Sequence, residues 1–149
     1  MDFYILLKHL HSGWRFVVLA LVIIAIGGAL AGWLGKKSYT EVNRKVNLFA
    51  LISFHIQMLV GLVLYFFSPK VRLSDMATTM SDSIGRYWTV EHAIMMILAA
   101  VLLTIGHSKS KKISDGPAKH KYIAIFYILA TIIVLLTIQM SGIPILGMS

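Results

Sequence analysis

The sequence contains no cysteine. That excludes disulfides, thiolate metal sites, iron–sulfur clusters and covalently attached c-type haem, while saying nothing about compartment. Charge is also scarce. Only 13% of the 149 residues are charged, against about 25% in an ordinary soluble domain. There is no strand pattern, no internal repeat and no low-complexity segment. The G-x-x-x-x-G-K-[ST], G-x-G-x-x-G and H-E-x-x-H motifs are missing, as is a Ser/His/Asp set. Nucleotide-cradling loops, zinc-protease chemistry and serine-hydrolase chemistry therefore find no support in the chain.

What is present is apolar. Hydrophobic residues make up 58% of the chain. They fall in four blocks, Phe16 to Leu34, Val46 to Phe67, Tyr87 to Ile105 and Tyr122 to Met140. A span needs about 20 such residues in a row. In lipid the backbone must satisfy its own hydrogen bonds, so each block predicts a helix. The expected fold is an all-α, four-transmembrane-helix up-down bundle, a single domain over residues 1–149. Its helices are expected at about residues 10–34, 46–67, 87–106 and 121–140. Ala29-Leu30-Ala31 resembles a signal-peptide cleavage site. The run is too long for that reading, and Lys36-Lys37 follow it like a stop-transfer signal. Gly27, Gly28 and Gly32 are expected to serve close helix packing.

The net charge is +8, which on its own would suit a nucleic-acid partner. Its placement points to topology instead. Loop 1 holds Lys36, Lys37, Arg44 and Lys45; loop 3 holds Lys109, Lys111, Lys112, Lys119 and Lys121. By the positive-inside rule these loops face the cytoplasm, which puts both termini and loop 2 outside. The basic loops would meet anionic lipid headgroups, and no nucleic-acid role is expected. Trp14, Tyr65, Tyr87 and Trp88 fall near the outer interface, Trp33, Tyr39 and Tyr122 near the inner one. In loop 2, Leu73, Met76, Met80, Ile84 and Tyr87 recur at helical spacing with polar residues between them. A short amphipathic helix on the outer surface is expected, acting either as a connector or as a lid over a site.

Ionisable side chains inside a membrane are costly and mark function by default. Here they are His55, Glu91 and His92, with His9, His11 and Arg15 towards the outer end and His107 and His120 at the inner. Counting from the inner ends of the blocks at about 1.5 Å per residue places His55 roughly 14 Å deep, His92 roughly 20 Å and His11 roughly 33 Å. His55 and His92 are then nearly level. Two imidazoles facing each other in a bundle can clamp a haem b as axial ligands. His11 is an alternative partner for His92. Arg15 and Arg86 are candidates for holding propionates, and Glu91 is a candidate proton-coupled group. The opposing reading makes these residues a polar clamp, with Glu91 bonded to His55 and no cofactor. His107 and His120 are expected as solvated loop histidines, or else as holders of a second group. Met58, Met95 and Met96 share helix faces with His55 and His92, a copper-like constellation, but methionine is also a common core filler. Gln57 and Gln139 are expected to hydrogen-bond between helices.

The strings Lys8-His9-Leu10-His11-Ser12-Gly13-Trp14-Arg15-Phe16, His55-Ile56-Gln57 and Glu91-His92-Ala93-Ile94-Met95-Met96 occur in this order. The chain thereby resembles, over nearly its whole length, a group of small four-helix bacterial membrane proteins of the Bacteroidetes type labelled cytochrome b-like. The resemblance implies b-type haem, electron transfer and a bacterial inner membrane. A proline is expected after the Glu-His pair in that group; Ala93 stands there. More distant similarities are to haem-binding membrane anchors of respiratory dehydrogenases and to the small haem-pathway oxidase. Three functions follow as expectations: electron transfer through haem b, with a partner membrane subunit or quinone; a non-redox anchor subunit; or an oxidoreductase acting on a haem precursor or quinone.

Overall fold

The computed structural model describes residues 2–147. Four long helices form the bundle and two short ones fill loop 2. Helix α1 spans Phe3–Leu34, α2 Glu41–Phe67, α3 Met76–Ser81 and α4 Ser83–Arg86. A π turn, Tyr87–Glu91, joins α4 to α5, His92–Lys111, and α6 covers Gly116–Met140. Among the described residues there is no strand. The four long segments are each apolar enough and long enough to cross a membrane.

The helices start where the sequence offers caps, which is outside the apolar blocks. The Asp2 carboxylate accepts from the Tyr4 N–H at 3.1 Å, so α1 begins at Phe3, two turns before the expected residue 10. Thr40 and Asn43 form a reciprocal capping box at the start of α2. Asp115 caps α6, with Pro117 in its first turn. Hydropathy marks where lipid contact begins; the cap marks where the backbone starts to turn.

In cross-section α1 packs on α2 and α6, and α5 packs on α6. The contact of α2 with α5 is the sparsest side of the ring. Helices α1 and α5 are therefore diagonal partners. In the half nearer loops 1 and 3 the core is tight and built on small residues: Ala25, Ala29, Ala50, Ala99 and Ala124 are buried. Tyr127, fully buried there, donates its hydroxyl to the Asn47 carbonyl at 2.8 Å. The half nearer loop 2 is looser and holds a cavity. Large apolar side chains such as Ile23, Ile24, Phe49, Leu59 and Leu136 face outward, as lipid contact requires.

Loop 2 folds as two short helices where one was expected. Thr79 is buried, its hydroxyl 2.7 Å from the Asp75 carbonyl and 3.0 Å from the Arg72 carbonyl. Arg72 pairs with Asp82 at 2.9 Å. Leu73, Met76, Met80 and Ile84 are all exposed. None of these four lines the cavity, whereas Tyr87, the fifth residue of the pattern, is buried and does.

Candidate functional site

The cavity lies between α1, α2, α5 and the end of α6, with a volume of about 260 Å³. Its inner wall is apolar, with Val18, Val22, Phe54, Met58, Met96 and Val134. Its polar lining comes from His11, Arg15, Gln57, Tyr87 and His92, and from Lys8 and Lys70 towards loop 2.

His11 and His92 meet across the diagonal of the bundle. Their ring centres are 6.5 Å apart and their planes inclined by 71°. The His11 ring occupies a notch in α2: a Cβ on Gly61 would stand 2.8 Å from its Cε1. Gln57 donates to the His11 carbonyl at 2.8 Å, and the Trp14 indole N–H donates to the Ser53 carbonyl at 3.0 Å. These bonds fix the register of α1 against α2. The Nδ1 of His11 is buried without a hydrogen-bond partner.

His92 is held more closely. The Tyr87 hydroxyl donates to the Thr137 carbonyl at 2.7 Å and lies 3.2 Å from His92 Nδ1. A phenol has one proton, and here it goes to the carbonyl. Its oxygen can then only accept from His92, which makes Nδ1 the protonated nitrogen and leaves the lone pair on Nε2. The π turn creates this pairing. The His92 N–H bonds back to the Tyr87 carbonyl, a five-residue step. In an α-helix residues five apart lie on different faces; the wider turn brings the two side chains together. This irregularity sits just before His92, whereas the sequence had directed attention to Ala93 just after it.

His55 is elsewhere. Its Nε2 lies 3.3 Å from Thr104 Oγ1, twelve positions along α5 from His92, or about 18 Å by helix rise. The Thr104 proton goes to the Ala100 carbonyl at 2.8 Å, so His55 is the donor. The equal depth expected for His55 and His92 does not hold. Helices α2 and α5 are staggered: His55 is fourteen residues from the start of α2, while Thr104 is seven from the end of α5. Met58, three residues on from His55 along α2, lines the cavity, whereas His55 does not.

Glu91 and Arg86 pair with each other at 2.7 Å, and Arg86 also donates to the Met80 carbonyl. Neither lines the cavity. Glu91 is therefore not the partner of His55, and the Arg86 guanidinium is not aimed at the site. Arg15 does line it, donating one nitrogen to the Gly147 carbonyl while its Nε is buried and unpartnered. Gln57 bonds between helices as expected, whereas Gln139 is exposed.

Compared with protein-family models, curated proteins and solved structures, the chain matches none.

At the other end of the bundle, His107 and His120 are buried at 3% and 1% exposure, not solvated. Both lie inside helices that outrun the apolar blocks. The His120 Nε2 is 3.1 Å from the Ser38 carbonyl, and its ring fills the space where a Cβ on Gly32 would stand. Gly32 thus serves close packing as expected; Gly27 and Gly28 have nothing within 4 Å of a Cβ. Tyr39 packs edge-on against His120, and burial raises the pKa of its phenol. Among the described residues no group of three His, Asp or Glu converges to hold a metal ion. The donor set on offer is the pair of imidazoles.

Sequence reasoning missed Tyr87, Trp88, Lys8 and Lys70 as site residues. Lys8 had a readable signal, standing one turn from His11 on the same face. Tyr87 had none, because a five-residue spacing has no meaning until a π turn is known.

Proposed function

We propose that this chain is a b-type haem protein of the bacterial cytoplasmic membrane, with loops 1 and 3 inside, in which His11 and His92 would hold the haem. The observation that carries the reading is the facing imidazole pair. The two ring centres are 6.5 Å apart in one cavity, so both imidazoles are available to hold the iron of a haem there. The donor chemistry suits the group too: His92 offers a lone pair at Nε2, and the His11 imidazole stands opposite it in the same cavity. Gly61 clears the space that the His11 ring needs.

Bound between the two rings, haem would supply one-electron transfer. The chain's own residues do the rest. Tyr87 and Thr137 hold the His92 ring in one tautomer and orientation, an outer contact of the kind that tunes a ligand's basicity. Phe54, Met58, Met96 and Val134 keep water from the inner wall. The Arg86–Glu91 pair neutralises the one carboxylate within the spans, which turns Glu91 away from a proton-coupled role at the ligand. A quinone or a partner membrane subunit would exchange the electron, the outward apolar faces giving such a subunit or lipid a surface to meet.

The test is an absorption spectrum of the purified protein, oxidised and reduced with dithionite, beside His11→Ala and His92→Ala. A reducible b-type spectrum that both substitutions abolish supports the reading. A colourless protein from haem-replete cells overturns it and leaves the anchor-subunit role.

A further inference from the structure

The chain has only six Asp and Glu residues, and each of these side chains is engaged away from the cavity. Asp2 caps α1 and Asp115 caps α6. Asp75 bonds Thr78. Glu41, Asp82 and Glu91 pair with Arg44, Arg72 and Arg86. Yet three cations, Lys8, Arg15 and Lys70, line the cavity, and no acidic side chain does. Among the described residues nothing on the chain neutralises them.

Two of these cations are placed in step with the histidines. Lys8 stands three positions before His11, one turn nearer loop 2 on the same face of α1. Lys70 lies over the Trp88 ring at 4.3 Å, and Trp88 leans on His92 with 5.6 Å between ring centres. Lys8 and Lys70 line the same cavity, and the Lys70 ammonium has its pKa lowered first by burial and then by the like charge of Lys8. Holding two like charges together at the rim of an apolar slot is unfavourable until an anion arrives.

We propose that Lys8 and Lys70 form a carboxylate subsite at the loop 2 mouth of the cavity, so that its ligand is an anionic amphiphile lying with its apolar body inward and its carboxylates between these two lysines. The proposal rests on the haem reading, with the propionates as the carboxylates. It replaces Arg86 by two lysines that contact the cavity. Arg15, deeper and engaged by Gly147, is not needed for it.

The experiment compares haem with its dimethyl ester, which keeps the iron and macrocycle but lacks both carboxylates. Each is titrated into the apoprotein in neutral phosphatidylcholine discs and followed by absorbance. Wild type is expected to prefer haem about tenfold or more, the scale of a charge-assisted contact. Lys8→Gln/Lys70→Gln is expected to bind both equally with the spectrum unchanged, and Lys8→Arg/Lys70→Arg to restore the preference. Equal binding by wild type, or a preference that persists in the glutamine variant, overturns the subsite and leaves the histidine ligation standing. If the glutamine variant does not fold, the wild-type and arginine-variant preferences decide the matter. Failure of both pigments to bind wild type ends the haem reading and this proposal with it. With phosphatidylglycerol in the discs, an unchanged preference supports the proposal. A preference lost there assigns the lysines to lipid headgroups and overturns it.

Discussion

Tyr87 and His92 are joined twice, by a backbone bond from the His92 N–H to the Tyr87 carbonyl and by a side-chain bond of 3.2 Å between the phenol oxygen and Nδ1. The same phenol reaches Thr137 on α6. One side chain thus ties the start of α5 to the end of α6 and sets which nitrogen of His92 carries the proton. Tyr87→Phe should keep the helices and weaken haem binding about 10- to 100-fold, the usual effect of removing a ligand's outer hydrogen bond. It should also move the midpoint potential, measured by redox titration. An unchanged potential and affinity would remove Tyr87 from the ligand's support.

The facing pair discriminates among three histidines. His11→Ala and His92→Ala should each abolish a low-spin haem spectrum. His55→Ala should retain it, because His55 bonds Thr104 about 18 Å along α5. Loss of the spectrum only in the His55 variant would show that the wrong pair has been chosen.

Gly61→Ala tests the notch. A new methyl would come within 2.8 Å of the His11 ring, and the ring must then tilt. Because α2 itself tolerates alanine well, the thermal midpoint should hold while haem affinity falls. Equal losses in both would point to general damage.

Gly32→Ala tests packing at the other end. The methyl would overlap His120 at 2.3 Å, and a buried imidazole bonded to Ser38 cannot swing aside freely. A destabilisation of about 1–3 kcal/mol is expected, read by thermal or denaturant unfolding in detergent, with the haem spectrum of the surviving protein intact.

The Lys70 ammonium titrates below its ordinary value of 10.5. A lysine depressed in the folded state binds fewer protons there than when unfolded. Between its folded pKa and the ordinary value, stability of the apoprotein should therefore rise with pH. The preference for haem over its ester should fall across the same window, as the cation is lost. Lys70→Gln should flatten both profiles; a wild-type preference flat to pH 10.5 would contradict the assignment.

The apolar blocks determined the four helices and their up-down order, because a backbone in lipid has no other way to satisfy its hydrogen bonds. The scarcity of ionisable residues likewise narrowed the site to a few histidines. Helix ends were only partly legible. The caps at Asp2, Thr40 and Asp115 are in the sequence, but charged residues such as Arg44 and Lys109 carry the helices past the lipid-facing runs, which also took His107 and His120 out of the solvated loops assigned to them.

The pairing of the histidines was decided by the tertiary structure alone. Depth counted along one helix is sound within that helix, but comparing two requires their stagger, and stagger comes from packing. The Trp14–Ser53 and Gln57–His11 bonds set α1 against α2, and the close approach of small residues seats α5 on α6. The result lifts His55 out of line and brings His11 across the diagonal to His92. The tautomer of His92 was equally out of reach, since it depends on a π turn and on a carbonyl of another helix. A sequence states which groups the membrane must hide; only the packed bundle decides which of them meet.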